Sequence, residues 1–330
     1  MTKRTIAITT PTGNVGRKLT AYYQDAQKHD IDVVVLARKP QAVSHWAQGG
    51  ARVCAGRLED RDFLASATRG VDALFWATPN SFSPELTMRR GYRLFAESAA
   101  HAIKTNKIAH TVHLSGFAHV DDGGGEHSLF GALADTEETL GQAVEELRHL
   151  YPKETYGITH LRAGFFFENL LGQLDGIRDK GRLYLPVNRK RRIPMVASHD
   201  VAAKVAASLL QGRPSGRVFQ GVWGPEDLSF SEVATSLTEG LGRKIRVFRI
   251  PSALIRFEML RIGRDPRTTE AFMTTFKAIS KGKVTAEPAR DESSTTPMSL
   301  AQWAAQVLKP LIEGVDGEVC PARVQYEAPE

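Results

Sequence analysis

The chain has 330 residues, 42% of them hydrophobic and 24% charged, with a formal net charge of +6. That suffices for one large α/β domain or a domain with a subdomain, and the modest, dispersed positive charge does not demand a nucleic-acid partner. Cys54 and Cys320 lack any CxxC partner, the ten histidines show no HExxH spacing, and no apolar stretch approaches the roughly 18 residues of a membrane span, so neither a metal centre nor a membrane protein is expected. Met1-Thr2-Lys3-Arg4 leads straight into a strand with no signal-peptide core, which makes a reducing cytoplasm the expected location.

Ile6-Ala7-Ile8 is a short uncharged run that suits a strand buried on both faces of a parallel sheet. It ends in Thr10-Pro11-Thr12-Gly13-Asn14-Val15-Gly16, and helical spacing follows through Leu19, Tyr22 and Tyr23. A strand, a small-residue turn and a helix place a phosphate on a helix N-terminus, where free N–H groups and the helix dipole favour an anion. Gly13 would let the backbone approach a pyrophosphate and Gly16 would let the helix pack close to the strand; Thr10 stands where such turns carry their first glycine.

Ile31–Ala37 reads as the second strand and ends at Arg38-Lys39-Pro40. This is where an adenosine ribose would lie. Arg38 and Lys39 suit a 2′-phosphate, so NADP(H) is the expected cofactor, with NAD(H) second; Arg17 could add to that phosphate site. Ala51–Ala55 is a short third strand with Cys54 as a small core residue. Val71–Ala77 is the fourth strand, and Ala77-Thr78-Pro79 should pass the nicotinamide half. A helix from about Pro84 to Asn106 precedes the fifth strand, Thr111–Ser115, whose end at Ser115-Gly116-Phe117 should also face the nicotinamide.

Asp121–His127 contains three consecutive glycines and reads as an exposed connection that could act as a lid. A helix over Leu129–Leu150 follows. The sixth strand, Tyr156–Ala163, opens into Gly164-Phe165-Phe166-Phe167 at the carboxyl edge of the sheet, where open α/β sheets bind ligands. Arg189–Arg192, between Pro186 and Pro194, reads as a solvated loop. Ser229-Phe230-Ser231-Glu232 has capping-box spacing. Ser252 to Phe276 reads as helical and should cover a substrate site. Glu287 to Pro297 reads as loose, and Ser299 to Leu311, with Trp303, as a closing helix.

Two of these stretches carry a family resemblance. Thr10–Gly16 resembles the G-x-T-G-x-x-G turn of the NmrA-like branch of the atypical short-chain dehydrogenase/reductases, matching at Thr12, Gly13 and Gly16 and departing at Thr10. Thr159–Leu170 is similar to that family's T-x-L-R-x-x-x-F-x-E-N-L signature. The resemblance spans nearly the whole chain. Gly56–Asp60 resembles the segment that lies near the adenine, which Leu58 would touch. Ala197–Ala202 resembles a strand-to-helix step capped by Asp200, Phe219–Glu226 the family's GPE strand and turn, and Gly242–Val247 its late strand.

The fold so implied is α/β: a doubly wound parallel-sheet Rossmann fold with a smaller, mostly helical C-terminal substrate subdomain. Residues 1–165 would form the cofactor domain, its sheet completed by later strands. Residues 166–315 would form the smaller part, interleaved with that core, and 316–330 a tail. The expected cofactor contacts are Thr10, Thr12, Gly13, Asn14, Val15, Gly16, Arg38, Lys39, Leu58, Ala77, Thr78, Pro79, Ser115, Gly116, Phe117, Ala163, Gly164 and Phe165. Phe82, Phe117, Phe166 and Asn169 are the expected substrate contacts.

The short-chain dehydrogenases usually pair a Tyr with a Lys four residues later, the Lys lowering the phenol pKa. Between Ser115 and Tyr151 this chain has neither Tyr nor Lys. Two functions remain. One is reduction of a small acceptor that needs little acid help, such as a quinone, azo dye, iminium ion or conjugated enone. Ser115 would hold the substrate and His119 or His127 would give a proton. The other is a cofactor-sensing regulator without turnover, acting through a protein partner. A homodimer is compatible with either.

Overall fold

The computed structural model describes residues 3–23, 31–79, 85–117, 125–210 and 212–314. In chain order the first elements are β1 (Arg4–Ile8), α1 (Gly16–Tyr23), β2 (Ile31–Ala37), α2 (Ser44–Gln48), β3 (Arg52–Ala55), α3 (Arg61–Ala67), β4 (Ala73–Trp76), α4 (Met88–Asn106), β5 (His110–Gly116), α5 (Leu129–Leu150) and β6 (Gly157–Ala163). There follow β7 (Phe165–Phe166), α6 (Leu174–Lys180), β8 (Arg182–Leu185), β9 (Arg192–Val196), α7 (Ser198–Leu210), β10 (Gly216–Val222), β11 (Asp227–Ser229), α8 (Phe230–Leu241), β12 (Arg246–Arg249), α9 (Ser252–Arg261), α10 (Pro266–Ser280), α11 (Leu300–Trp303) and α12 (Lys309–Glu313).

The chain divides into two compact units. The first comprises 1–116, 132–163 and 198–222, and the second 117–131, 164–197 and 223–330.

The first unit is built on a seven-stranded sheet in the order β10-β6-β5-β4-β1-β2-β3, every neighbouring pair parallel. The order reverses between β1 and β4, so the end of β1 lies at the switch point where doubly wound sheets bind ligands. The central strands are short apolar runs because helices cover both faces. On one side Leu64 of α3, Phe95 and Ile103 of α4 and Val144 of α5 pack on Leu36 and Trp76. Each such side chain, fully buried, contributes about 1.5–3 kcal/mol. On the other side α1 and α7 lie together, and Lys18 Nζ donates to Ser198 Oγ at 2.5 Å. Asp60 caps α3 by accepting from the N–H groups of Asp62 and Phe63 at 3.0 Å, and Thr87 caps α4.

The second unit has a three-stranded sheet, β11-β9-β7, and a parallel pair, β12-β8. Its core joins Phe167, Met195, Trp223, Phe230, Phe276 and Trp303. The capping box at Ser229 and Glu232 is present, and Ser299 with Gln302 forms another at the start of α11.

Local differences from the sequence reading have physical causes. The stretch from Ser252 to Phe276 is two helices. Gly263, at φ 78°, ends the first, and Asp265 caps the second ahead of Pro266. The segment 287–297, expected to be loose, is pinned: Trp223 N donates to Ser294 O and Thr296 N to Trp223 O, both at 2.7 Å, and Arg290 reaches Asp227 and Gly224 O. Cys54 is only half-buried because β3 is a sheet edge. Asp200 lies in the first turn of α7 rather than at its cap. The closing helix is broken by a π-turn over Ala304–Leu308. No described helix is long and apolar enough to cross a membrane.

Candidate functional site

The turn after β1 is locked by its own chemistry. Thr9 Oγ1 donates to Phe75 O at 2.9 Å and accepts from Ala77 N at 3.0 Å, tying the carboxyl ends of β1 and β4 together. Gly13 N donates to Thr10 O at 3.0 Å and Arg17 N to Gly13 O at 3.1 Å, which leads the chain into α1. A Cβ on Gly16 would stand closer than 3 Å to Thr10 O and to Pro11 Cα, so only glycine fits. One on Gly13 would stand 3.2 Å from the same oxygen. Arg17 Nη2 donates to Asn14 Oδ1 at 3.2 Å. The turn thus presents a bare backbone and the start of an eight-residue helix.

The other expected contacts of the first unit line the same carboxyl edge. Arg38 and Lys39 are exposed just past β2, the parallel neighbour of β1. Leu58 follows β3 and is buried in the core with Leu36 and Leu64. Ala77 and Thr78 follow β4, and Thr78 Oγ1 is buried with no hydrogen-bond partner among the described residues. Ser115 and Gly116 end β5, and Ala163 ends β6 opposite Gly116. Thr12 is exposed on the turn, Val15 buried beneath it, and Pro79 half-buried. Phe82 and His119 lie outside the described residues.

Beneath Ser115 lies a polar layer that sequence reasoning missed. Parallel register sets His113 against His160 and Ser115 against Arg162. The two histidines meet at Nδ1···Nδ1 2.9 Å, and both are fully buried. Burial holds His113 down at about 4 and His160 well below its ordinary value, so the pair is neutral at physiological pH. Arg162 forks onto Glu137 of α5 at 2.9 and 2.7 Å, with both side chains buried. Its guanidinium lies 4.4 Å from the centroid of the Phe219 ring, which stacks on His160. The signal was an acid on the apolar side of a helix and an Arg within an apolar strand; what joins them is register, which sequence does not display.

The remaining expected residues belong to the second unit. Phe117 is buried and meets Phe130 edge-on at 5.3 Å. Phe165 packs edge-on to Phe230 and Phe276, so it is partly core, while Phe166 is half-buried. A Cβ on Gly164 would approach Pro194 O to 2.9 Å. Asn169 is exposed. His127 is exposed in a short 3₁₀ turn ahead of Ser128, which caps α5 by accepting from Gly131 N at 2.7 Å. No group of three or more His, Cys, Asp or Glu among the described residues is placed to hold a metal ion.

A parallel sheet in this order, with a glycine turn at its reversal point, defines the Rossmann class of α/β proteins. The chain belongs to the NmrA-like family, whose model matches residues 2–295. It is 27% identical over 304 residues to the (4-alkanoyl-5-oxo-2,5-dihydrofuran-3-yl)methyl phosphate reductase of Streptomyces griseus, spanning 91% of this chain and 97% of that protein. It is 25% identical over 260 residues to the NAD(P)H azoreductase of Xenophilus azovorans, spanning 79% and 82%. Among solved structures, a nucleoside-diphosphate-sugar epimerase of Staphylococcus aureus superposes with a TM-score of 0.74 over 92% of this chain and 100% of its own. At 15% identity that likeness speaks for the fold alone.

Proposed function

We propose that the protein is an NAD(P)H-dependent reductase of a small organic acceptor, of azo or conjugated enone type. The observation that carries this reading is the bare glycine turn at the sheet's switch point, in a chain similar to two proteins that are both named reductases. Bound there, a reduced nicotinamide dinucleotide would supply the hydride. The turn from Thr10 to Gly16 would hold its pyrophosphate and Thr78 would give its orphaned hydroxyl to the same group's nicotinamide half. Arg38 and Lys39 would hold a 2′-phosphate, which favours NADP(H). Ser115 is 6% exposed, and its hydroxyl makes no hydrogen bond with a described residue, so it is free to hold the acceptor. His127 is the proposed proton donor among the described residues.

The lack of any Tyr or Lys between Ser115 and Tyr151 favours a second reading, a dinucleotide sensor that acts through a protein partner.

NADPH and NADH consumption, followed by absorbance against azo dyes, quinones and conjugated lactones, separates the two. Turnover with at least one acceptor is expected. Tight dinucleotide binding by calorimetry without any turnover would move the assignment to the sensor.

A further inference from the structure

Thr10 has φ 46°, and Lys107, the other described non-glycine residue with positive φ, merely ends α4. A β-branched residue in the left-handed region is a true outlier, because its Cβ crowds the backbone. Nothing in the turn requires Thr there. Its carbonyl accepts from Gly13 N, which any residue could provide. Thr10 is half-buried, and its hydroxyl makes no hydrogen bond with any described residue. The contrast with Thr9 is direct, since the Thr9 hydroxyl both donates and accepts within the sheet. A strained residue with an unused donor on the turn gains nothing from the described residues that would offset its strain.

We propose that Thr10 is a phosphate-binding residue: its hydroxyl donates to the dinucleotide pyrophosphate, and the left-handed backbone is the cost of placing it there. This rests on the reading that the turn holds a dinucleotide. The conformation that glycine adopts freely is kept, and a side-chain donor is added to the backbone donors.

The test compares Thr10→Gly, Thr10→Ala and Thr10→Ser by calorimetric Kd for NADPH and for NADH, and by Tm of the dinucleotide-free protein. Removing a hydrogen bond to a charged group should weaken binding about tenfold in Thr10→Gly and Thr10→Ala. The loss should be equal for the two cofactors, since both carry the pyrophosphate. Thr10→Ser should stay within about twofold of the parent. Thr10→Gly should also raise Tm by a few degrees as the strain is released.

Undiminished affinity in Thr10→Gly and Thr10→Ala would overturn the inference and leave the dinucleotide reading standing. A loss confined to NADPH would overturn it too, by moving the hydroxyl to the 2′-phosphate. A parent protein that binds neither dinucleotide would overturn the cofactor reading itself.

Discussion

Gly16 shows how much one hydrogen atom decides. A methyl group there would meet Thr10 O and the Pro11 backbone, neither of which can move without breaking the turn. Gly16→Ala should therefore cost about 1–3 kcal/mol, measured by urea unfolding, and should weaken dinucleotide binding further. Arg162 and Glu137 are the opposite case, a buried pair whose members need each other. Glu137→Gln leaves Arg162 buried and uncompensated and should cost about 3–5 kcal/mol. Arg162→Met with Glu137→Leu should recover most of that loss. Arg38→Ala should raise Kd for NADPH several-fold and leave NADH unchanged, because only the former carries the 2′-phosphate.

At the scale of elements, β5 and β6 combine legible and illegible features. Both read as strands from their apolar runs, but their histidines do not read as a pair, since alternation gives the face of a residue and not its cross-strand neighbour. The capping box at Ser229 was legible because it is local, three residues apart. The anchoring of 287–297 was not, because its partners at Trp223 and Asp227 lie more than 60 residues away. The paired strands also carry a pH dependence. His110 and His113 are both held at about 4 in the folded chain, against 6.5 in model compounds, with burial the largest cause. The unfolded chain therefore takes up their protons first as pH falls. The stability tied to their neutrality is intact above about 6.5, is lost progressively towards about 4, and changes little below that. The loss is on the order of 3 kcal/mol for each histidine. Chemical denaturation between pH 7.5 and 4 should show this fall, and His113→Phe should flatten it.

For the whole molecule, the doubly wound parallel sheet was the most legible property. Alternating strand and helix signals impose a parallel sheet, and the glycine turn marks its switch point. Gly16 was readable because backbone geometry demands it. Glu137 and His113 were not, because each has meaning only beside something distant in sequence. In the second unit α9 has no buried residue, and Leu254, Phe257 and Leu260 stand exposed along it.

The proposed activity is transfer of a hydride from a nicotinamide dinucleotide to a small acceptor. The most direct test incubates the protein with NADPH deuterated at the nicotinamide 4-position and a conjugated lactone, then reads the mass of the product. Conjugate reduction delivers the deuterium to the β-carbon of the lactone, where it does not exchange with water, so a reductase gives product one mass unit heavier from one of the two 4-position epimers and not from the other. Failure of every azo dye, quinone and conjugated lactone to be reduced, or reduced lactone without deuterium from either epimer, would contradict this activity.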